Sequence, residues 1–192
     1  MLVLDRPQGA VEADMPLTLD EYLSLPEDAR AELVDGVLRP MVRPSTAHRQ
    51  IQRRLANALE DRIPEGLVVA EEEVVTFAID PPTARIPDVV VFRADADPHG
   101  RSNSTRAADV ALVVEVVSES TQTADRFEKP AEYARNGIPG YWRIELQPSI
   151  VVHVYRQVEG VYHDEGRFGP GDVIHDSGLL WANVAVADLL PR

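Results

Sequence analysis

The chain has 192 residues, of which 44% are hydrophobic and 27% charged, and its formal net charge is −13 at pH 7. This length and apolar content suffice for one ordinary core and are short for two, so we expect a single globular domain. The chain contains no cysteine, which excludes disulfides and thiolate zinc sites and leaves oxygen or imidazole ligands, the kind that favour Mg²⁺ or Mn²⁺.

The N-terminal segment shows no clear periodicity. Residues 1–16 therefore read as a loose leader, and residues 17–192 as the domain. The first residues also lack a basic region followed by an apolar block, and no run approaches the roughly 20 consecutive apolar residues that span a bilayer. We expect a cytoplasmic protein.

The first predicted elements are a short helix and a β-hairpin. The run Thr18-Leu-Asp-Glu21 matches a capping box and predicts a helix start. Two short apolar runs, Ala31–Val34 and Val37–Val42, are separated by Asp35-Gly36, the dipeptide typical of a tight two-residue turn. This pattern places Glu32 on the first strand of the hairpin.

A longer amphipathic helix should follow, capped by Ser45. Its apolar stripe recurs at three- and four-residue intervals: His48, Ile51, Leu55, Ala58 and Leu59. A local basic cluster also occurs here, formed by Arg39, Arg43, Arg49, Arg53 and Arg54. The charge of −13 argues against a surface that coats nucleic acid broadly, and this cluster is the feature that could still steer phosphates.

The middle of the chain is rich in Val and Ile. Three segments predict strands, and the last two are apolar enough to be buried on both faces: Leu67–Ile79, Ile86–Arg93 and Val110–Ser118. A helix is expected over Thr123–Asn136, with Pro130 in its first turn and a start near Asp125 or Arg126. We expect Phe127, Ala131, Tyr133 and Ala134 to face inward.

The C-terminal third predicts further strands at Tyr141–Leu146 and Ile150–Gln157, then short β runs with turns over Gly160–Val186. Tyr141 and Trp142 are expected in the core, with base stacking as a minor alternative. The element order predicts a mixed α/β class around a central sheet.

Two acids interrupt otherwise apolar strands. Asp88 follows Pro87 at the mouth of one strand, and Glu115 has aliphatic neighbours on both sides in another. A buried carboxylate is costly unless it is paired or bound to a metal. The alternatives are that Asp88 is a structural cap and that Glu115 pairs with an arginine or points outward.

Lys129 is the only lysine among the 19 basic residues. Where arginine has replaced lysine elsewhere, the surviving ammonium suggests a need for a compact charge with a tunable pKa, for example to grip a water molecule or a phosphate oxygen. Chance survival on a solvated helix face is the alternative.

Taken together, the motifs resemble the Uma2 family of predicted endonucleases, over nearly the whole chain from about Leu17. The ordered set is Glu32-Leu-Val-Asp-Gly36, Pro44-Ser45 with His48, Pro87-Asp88-Val, Glu115-Val-Val-Ser118, Asp125 with Lys129, and Gly137-Ile-Pro-Gly-Tyr-Trp142. The set is far more specific than any single member.

The resemblance implies a restriction-endonuclease-like core of the PD-(D/E)XK type. That fold is a central mixed β-sheet flanked by helices, here with an N-terminal helix and hairpin and extra C-terminal strands. Asp88 and Glu115 would ligate a divalent cation, and Glu32 would complete the site. The usual position for the lysine is Val117 here, so the resemblance assigns that role to Lys129. His48 and Asp125 are candidate accessory residues.

The predicted function is therefore Mg²⁺- or Mn²⁺-dependent hydrolysis of phosphodiester bonds, with DNA as substrate, in a homodimer by analogy with restriction enzymes. The acidic charge motivates one alternative, a binding or regulatory protein that keeps the fold and an acidic metal pocket without turnover. A hydrolase of RNA or of small phosphoesters is a further alternative.

Overall fold

Two β-sheets frame the molecule. The computed structural model describes residues 16–26, 29–97, 102–118 and 121–190, so the predicted leader lies almost entirely outside the described residues. Within those ranges one sheet has five strands and the other has six. Both contain parallel and antiparallel neighbours, which confirms the mixed α/β class.

The five-stranded sheet begins with the predicted hairpin. Asp35 and Gly36 both have positive φ, 50° and 75°, as a primed two-residue turn requires. In spatial order the sheet contains β2 (Val37–Pro40), β1 (Ala31–Val34), β5 (Thr83–Arg85), β4 (Val75–Phe77) and β7 (Thr105–Arg106). The hairpin is therefore one edge of a separate sheet, in addition to the central sheet that the sequence predicts.

The six-stranded sheet is the central one. In spatial order it contains β11 (Val161–Phe168), β10 (Val151–Val158), β9 (Gly140–Glu145), β8 (Val110–Val116), β6 (Val89–Arg93) and β3 (Leu67–Glu71). β6 and β8 are buried on both faces, as their apolar sequences predict. Tyr141 and Trp142 on β9 are fully buried, so they are core residues.

Helices cover both faces of this sheet. The helices are α1 (Leu19–Leu23), α2 (Thr46–Glu60), α3 (Lys129–Arg135) and α4 (Val186–Leu189). Ile51 and Leu55 of α2 join the core on one face, while Tyr133 of α3 joins the core on the other. Within the described ranges, no helix is long and apolar enough to cross a membrane.

One local expectation is wrong and another is correct only in part. Leu67–Ile79 does not form one continuous strand, because Glu72 has a φ of 55° and the chain passes there from the central sheet to the other. In the second case Pro130 lies in the first turn of α3 as predicted, but α3 begins at Lys129 and not near Asp125 or Arg126. A π-helix, Ala124–Glu128, precedes α3, and proline cannot donate a bond to the preceding turn, which fits such an irregular start.

The inward face of this helix also differs from the one predicted. Phe127 is 71% exposed and Ala131 is exposed. The buried positions instead recur at four-residue intervals: Asp125, Lys129 and Tyr133. Ion pairs between charged side chains hold this face of the helix against the core. The spacing of apolar residues in the sequence does not show such pairs. Tyr133 and Ala134 are buried as predicted.

Candidate active site

A cleft of about 980 Å³ opens where the two sheets meet α2 and α3. Its walls include all six residues singled out from the sequence. Three are acids on strands or strand ends, Glu32, Asp88 and Glu115. The other three come from helices and are His48, Asp125 and Lys129. Residues that are up to 97 positions apart thus converge in one place.

Strand pairing brings Asp88 and Glu115 together. β6 and β8 are antiparallel with Val89 opposite Val114, so the register places Asp88 opposite Glu115. Residues opposite each other project from the same face of a sheet. Asp88 Oδ2 accepts a hydrogen bond of 2.6 Å from the backbone N–H of Val116, which ties the end of one strand to the other.

Lys129 lies among three carboxylates. Its Nζ is 3.0 Å from Glu115 Oε1, 3.3 Å from Glu32 Oε1 and 3.3 Å from Asp125 Oδ1. The lysine is 5% exposed, so these contacts are poorly screened by solvent. Burial would lower the pKa of Lys129, but the three acids outweigh it and raise the pKa, so the ammonium stays charged.

Glu115 is 3% exposed and accepts two hydrogen bonds on one oxygen. Lys129 Nζ and the Tyr133 hydroxyl, at 2.7 Å, both donate to Oε1. Burial raises the pKa of Glu115 well above its usual range; Lys129 opposes this shift, and Asp125 adds to it. The pKa of Asp125 is also raised, first by burial. The cleft therefore holds more buried negative charge than its own lysine compensates.

His48 lies on the opposite wall and contacts Asp88. Its Nε2 is 2.8 Å from Asp88 Oδ1, and the side chains are 8% and 15% exposed. Ser45 caps α2 by accepting a bond from the N–H of His48, which fixes the first turn of the helix and the position of the imidazole. The histidine thus orients the carboxylate that the strand end presents.

Sequence reasoning missed Arg85, which is 3% exposed on β5. Its Nη1 donates to Glu32 Oε2 at 2.8 Å, and its Nε and Nη2 donate to the two oxygens of Glu132, both at 2.7 Å. Glu32 Oε1 also accepts from the N–H of Ile86. The buried Glu32 required a cationic partner, and that requirement is the signal that could have pointed to an arginine.

The pKa of Glu32 shows the effect of these contacts. Burial alone would raise it, but Lys129 and Arg85 together hold it below the usual range. Glu32 is thus ionised and bonded on both oxygens, whereas nearby cations compensate the negative charge of Glu115 only in part. The two acids have different environments although both contact Lys129.

Arg85→Lys should lower the free energy of unfolding by about 1–2 kcal/mol, because an ammonium cannot form the two-point pairing with Glu132 while also bonding Glu32. Urea unfolding followed by circular dichroism would measure the change. Arg93→Lys, at an arginine 56% exposed, is the matched control and should change stability by less than about 0.5 kcal/mol. Equal losses in both variants would contradict this account of Arg85.

The predicted basic cluster divides among three places. Arg39 and Arg43 line the cleft, while Arg49 and Arg53 line a neighbouring groove with Glu71 and Glu72. Arg54 donates to the backbone carbonyl of Leu190. The five arginines therefore do not form one patch, and two of them border the acidic site.

Within the ranges that the structure describes, no three acidic or histidine side chains form a ready-made cage for a metal ion. Asp88 and Glu115 are the two carboxylates that the strand register places opposite each other. Mg²⁺ commonly binds through one or two carboxylates and completes its shell with waters and substrate phosphates. The donor set is therefore of the hard-cation type, and it is open to a ligand.

Comparisons with known proteins identify the fold and the family. A crystal structure of "a putative nuclease belonging to DUF820" from Anabaena variabilis superposes with a TM-score of 0.70, at 21% identity, over 91% of this chain and 97% of that one. Its likeness confirms the fold. No curated protein matches the chain. The model of the Uma2 family, described as "Putative restriction endonuclease", matches residues 19–187, and the chain therefore belongs to the Uma2 family.

Proposed function

We propose that the protein is an endonuclease that uses Mg²⁺ or Mn²⁺ to hydrolyse phosphodiester bonds in DNA. The observation that carries the proposal is the convergence of Asp88, Glu115 and Lys129 in one cleft. Family membership and the fold shared with a nuclease support phosphodiester chemistry. The divalent ion, the DNA substrate and the roles of individual residues are our proposals.

The excess of buried carboxylate is the main reason to propose a metal. Glu115, Asp125 and Glu32 surround one ammonium, Asp88 lies opposite Glu115, and Arg85 is shared with Glu132. A divalent cation would supply the missing positive charge and, when bound, would act as a Lewis acid on the scissile phosphate. We assign it to Asp88 and to Glu115, whose Oε2 is not the oxygen that Lys129 and Tyr133 bond.

Lys129 is proposed to hold the attacking water or to stabilise charge on the phosphate as it becomes pentavalent. Its ammonium is 3.0 Å from Glu115 Oε1, so water and carboxylate would be ordered by the same side chain. The buried contacts fix the position of Nζ before substrate binds, which reduces the reorganisation needed during reaction.

Glu32 was predicted as a third metal ligand, and that role stays a prediction. Its contacts favour a different task, because Arg85, the N–H of Ile86 and Lys129 already occupy both of its oxygens. We propose that Glu32 and Asp125 position Lys129. His48 would orient Asp88 through their 2.8 Å contact.

DNA is the proposed substrate because the family is described as restriction endonucleases. A cytoplasmic location and a symmetric dimer, which would let two centres reach two strands, fit this substrate and stay predictions. The same holds for the extent of the domain over residues 17–192.

Plasmid nicking tests the proposal. The wild-type protein should convert supercoiled plasmid DNA to the nicked form in the presence of Mn²⁺ or Mg²⁺. This reaction should stop when a chelator is added. Asp88→Asn should lower the rate by at least about 100-fold, because it removes a proposed ligand charge. Asp95→Asn, at an acid 73% exposed, is the matched control and should cleave like the wild type.

Absence of cleavage in every ion, or equal rates in wild type and Asp88→Asn, would contradict the proposal. Binding of DNA without nicking would favour the alternative of a non-catalytic binding protein. Turnover of RNA or of a small phosphoester in place of DNA would keep the chemistry and change the substrate.

A further inference from the structure

A row of ionisable side chains crosses the central sheet from the acidic centre to its outer edge. The register pairs Glu115 on β8 with Arg143 on β9, Arg143 with His153 on β10, and His153 with Arg167 on β11. Residues paired in this way project from the same face. We call Arg143, His153 and Arg167 the cationic row.

The row lies outside the cleft and becomes more exposed with distance from it. The side chain of Arg143 is 14% exposed, and that of Arg167 is 71% exposed. Arg143 on β9 and Arg167 on β11 are two strand spacings apart, which is about 10 Å. That length exceeds the spacing of neighbouring phosphates along one nucleic-acid strand.

Arginines in the row are only partly neutralised. Arg143 is 3.1 Å from Glu145 Oε1, but Glu145 is also bonded at both oxygens by Arg126. Arg167 approaches Asp164 only to 4.0 Å. Arg126 and Arg143 thus share Glu145, and the guanidinium of Arg167 is the least neutralised charge of the row, at its outer end.

His153 lies between the two arginines of the row. Burial lowers the pKa of its imidazole, and Arg143 and Arg167 lower it further, ahead of the opposing effects of Glu145 and Asp164. Within the described part of the chain, its buried Nδ1 has no hydrogen-bond partner. The ring also stacks on Tyr155, whose face in turn receives the guanidinium of Arg143 at 5.5 Å.

We propose that the cationic row binds the phosphate backbone of a nucleic-acid strand as it leaves the cleft. The inference rests on the proposed function, since it uses the same substrate and extends its path beyond Glu115. A cationic line continuous with a reaction centre is complementary to a polyanion. At neutral pH Arg143 and Arg167 carry the charge, because the pKa of His153 is lowered.

Salt-dependent binding tests the row without requiring turnover. Fluorescence anisotropy of a labelled DNA strand, in a chelator, would be recorded at several salt concentrations for wild type, Arg167→Gln and the matched control Arg93→Gln. An RNA strand of the same sequence forms a second arm that identifies the type of strand bound.

Arg167→Gln should weaken binding by roughly threefold to tenfold and reduce the slope of log K against log salt by about 1. The double variant Arg143→Gln with Arg167→Gln should reduce this slope by about 2. Arg93→Gln should behave like the wild type. A merely structural role would not change the slope.

The proposed role of the cationic row would be overturned if Arg167→Gln and the double variant left the slope unchanged. It would also be overturned if the wild type bound neither strand. Continued metal-dependent nicking in that case would leave the proposed function intact. A reduced slope with no nicking under any condition would overturn the proposed function and retain the row.

Discussion

Replacing Lys129 with methionine should lower the free energy of unfolding by about 3–5 kcal/mol at pH 8, the usual effect of removing one partner from buried charges. The variant would leave Glu32, Glu115 and Asp125 facing one another without the ammonium that now contacts all three. Cleavage should also be lost, because the same ammonium is the proposed catalytic group.

The stability loss should depend on pH in a defined direction. Without Lys129, the pKa of Glu115 in the folded protein should rise further above its unfolded value of about 4.5. Folding then favours the protonated acid, so its stabilising contribution is present at low pH and is lost as pH rises through the folded pKa. The loss should therefore be smaller at pH 5 than at pH 8.

Urea unfolding at the two pH values measures both effects. Arg135→Met removes a charge from an exposed position of the same helix and should change stability by less than about 0.5 kcal/mol. A Lys129→Met protein that is as stable as wild type at pH 8, or that loses more stability at pH 5, would contradict the account of the buried cluster.

Glu115→Gln should separate activity from stability. Cleavage should fall by at least about 100-fold, because the amide removes the charge of a proposed metal ligand. In a chelator at pH 8, however, the variant should be more stable than the wild type. Burial disfavours the ionised form of Glu115, and together with Asp125, Asp88 and Glu32 it outweighs the opposing effect of Lys129. The amide removes this cost while it can still accept from Tyr133.

The direction of this stability difference follows from the raised pKa of Glu115 in the wild type. An acid whose folded pKa is raised loses its contribution to stability as pH rises above the unfolded value, and a glutamine does not titrate. The difference should grow between pH 5 and pH 8. Glu128→Gln, at an exposed acid beside Lys129, is the control. A Glu115→Gln protein that is active, or less stable than wild type at pH 8, would contradict the assignment.

Local features of the fold were predictable because local chemistry determines them. The Asp35-Gly36 turn needs positive φ at both residues, and Ser45 supplies the oxygen that caps α2. The apolar runs of β6 and β8 likewise require burial on both faces, which made Asp88 and Glu115 conspicuous. These inferences needed no knowledge of distant partners.

Features that depend on long-range contacts were not predictable in the same way. The run Glu71-Glu72-Glu73 interrupts the apolar pattern of its segment, but it does not show that the chain changes sheet at Glu72. Phe127 looked like a core residue, but the buried face of its helix is held by ion pairs to Glu115 and Glu32. Arg85 had no local signal, since its importance lies in Glu32 and Glu132, which come from other elements.

Anomalous diffraction from crystals soaked in Mn²⁺ tests the central claim most directly, since it locates the ion without assuming an activity. We predict one strong peak between the carboxylates of Asp88 and Glu115, beside Lys129, and no such peak in crystals of Asp88→Asn. Manganese bound only elsewhere on the protein, with those two carboxylates free, would contradict the assignment of a metal-dependent nuclease centre to this cleft.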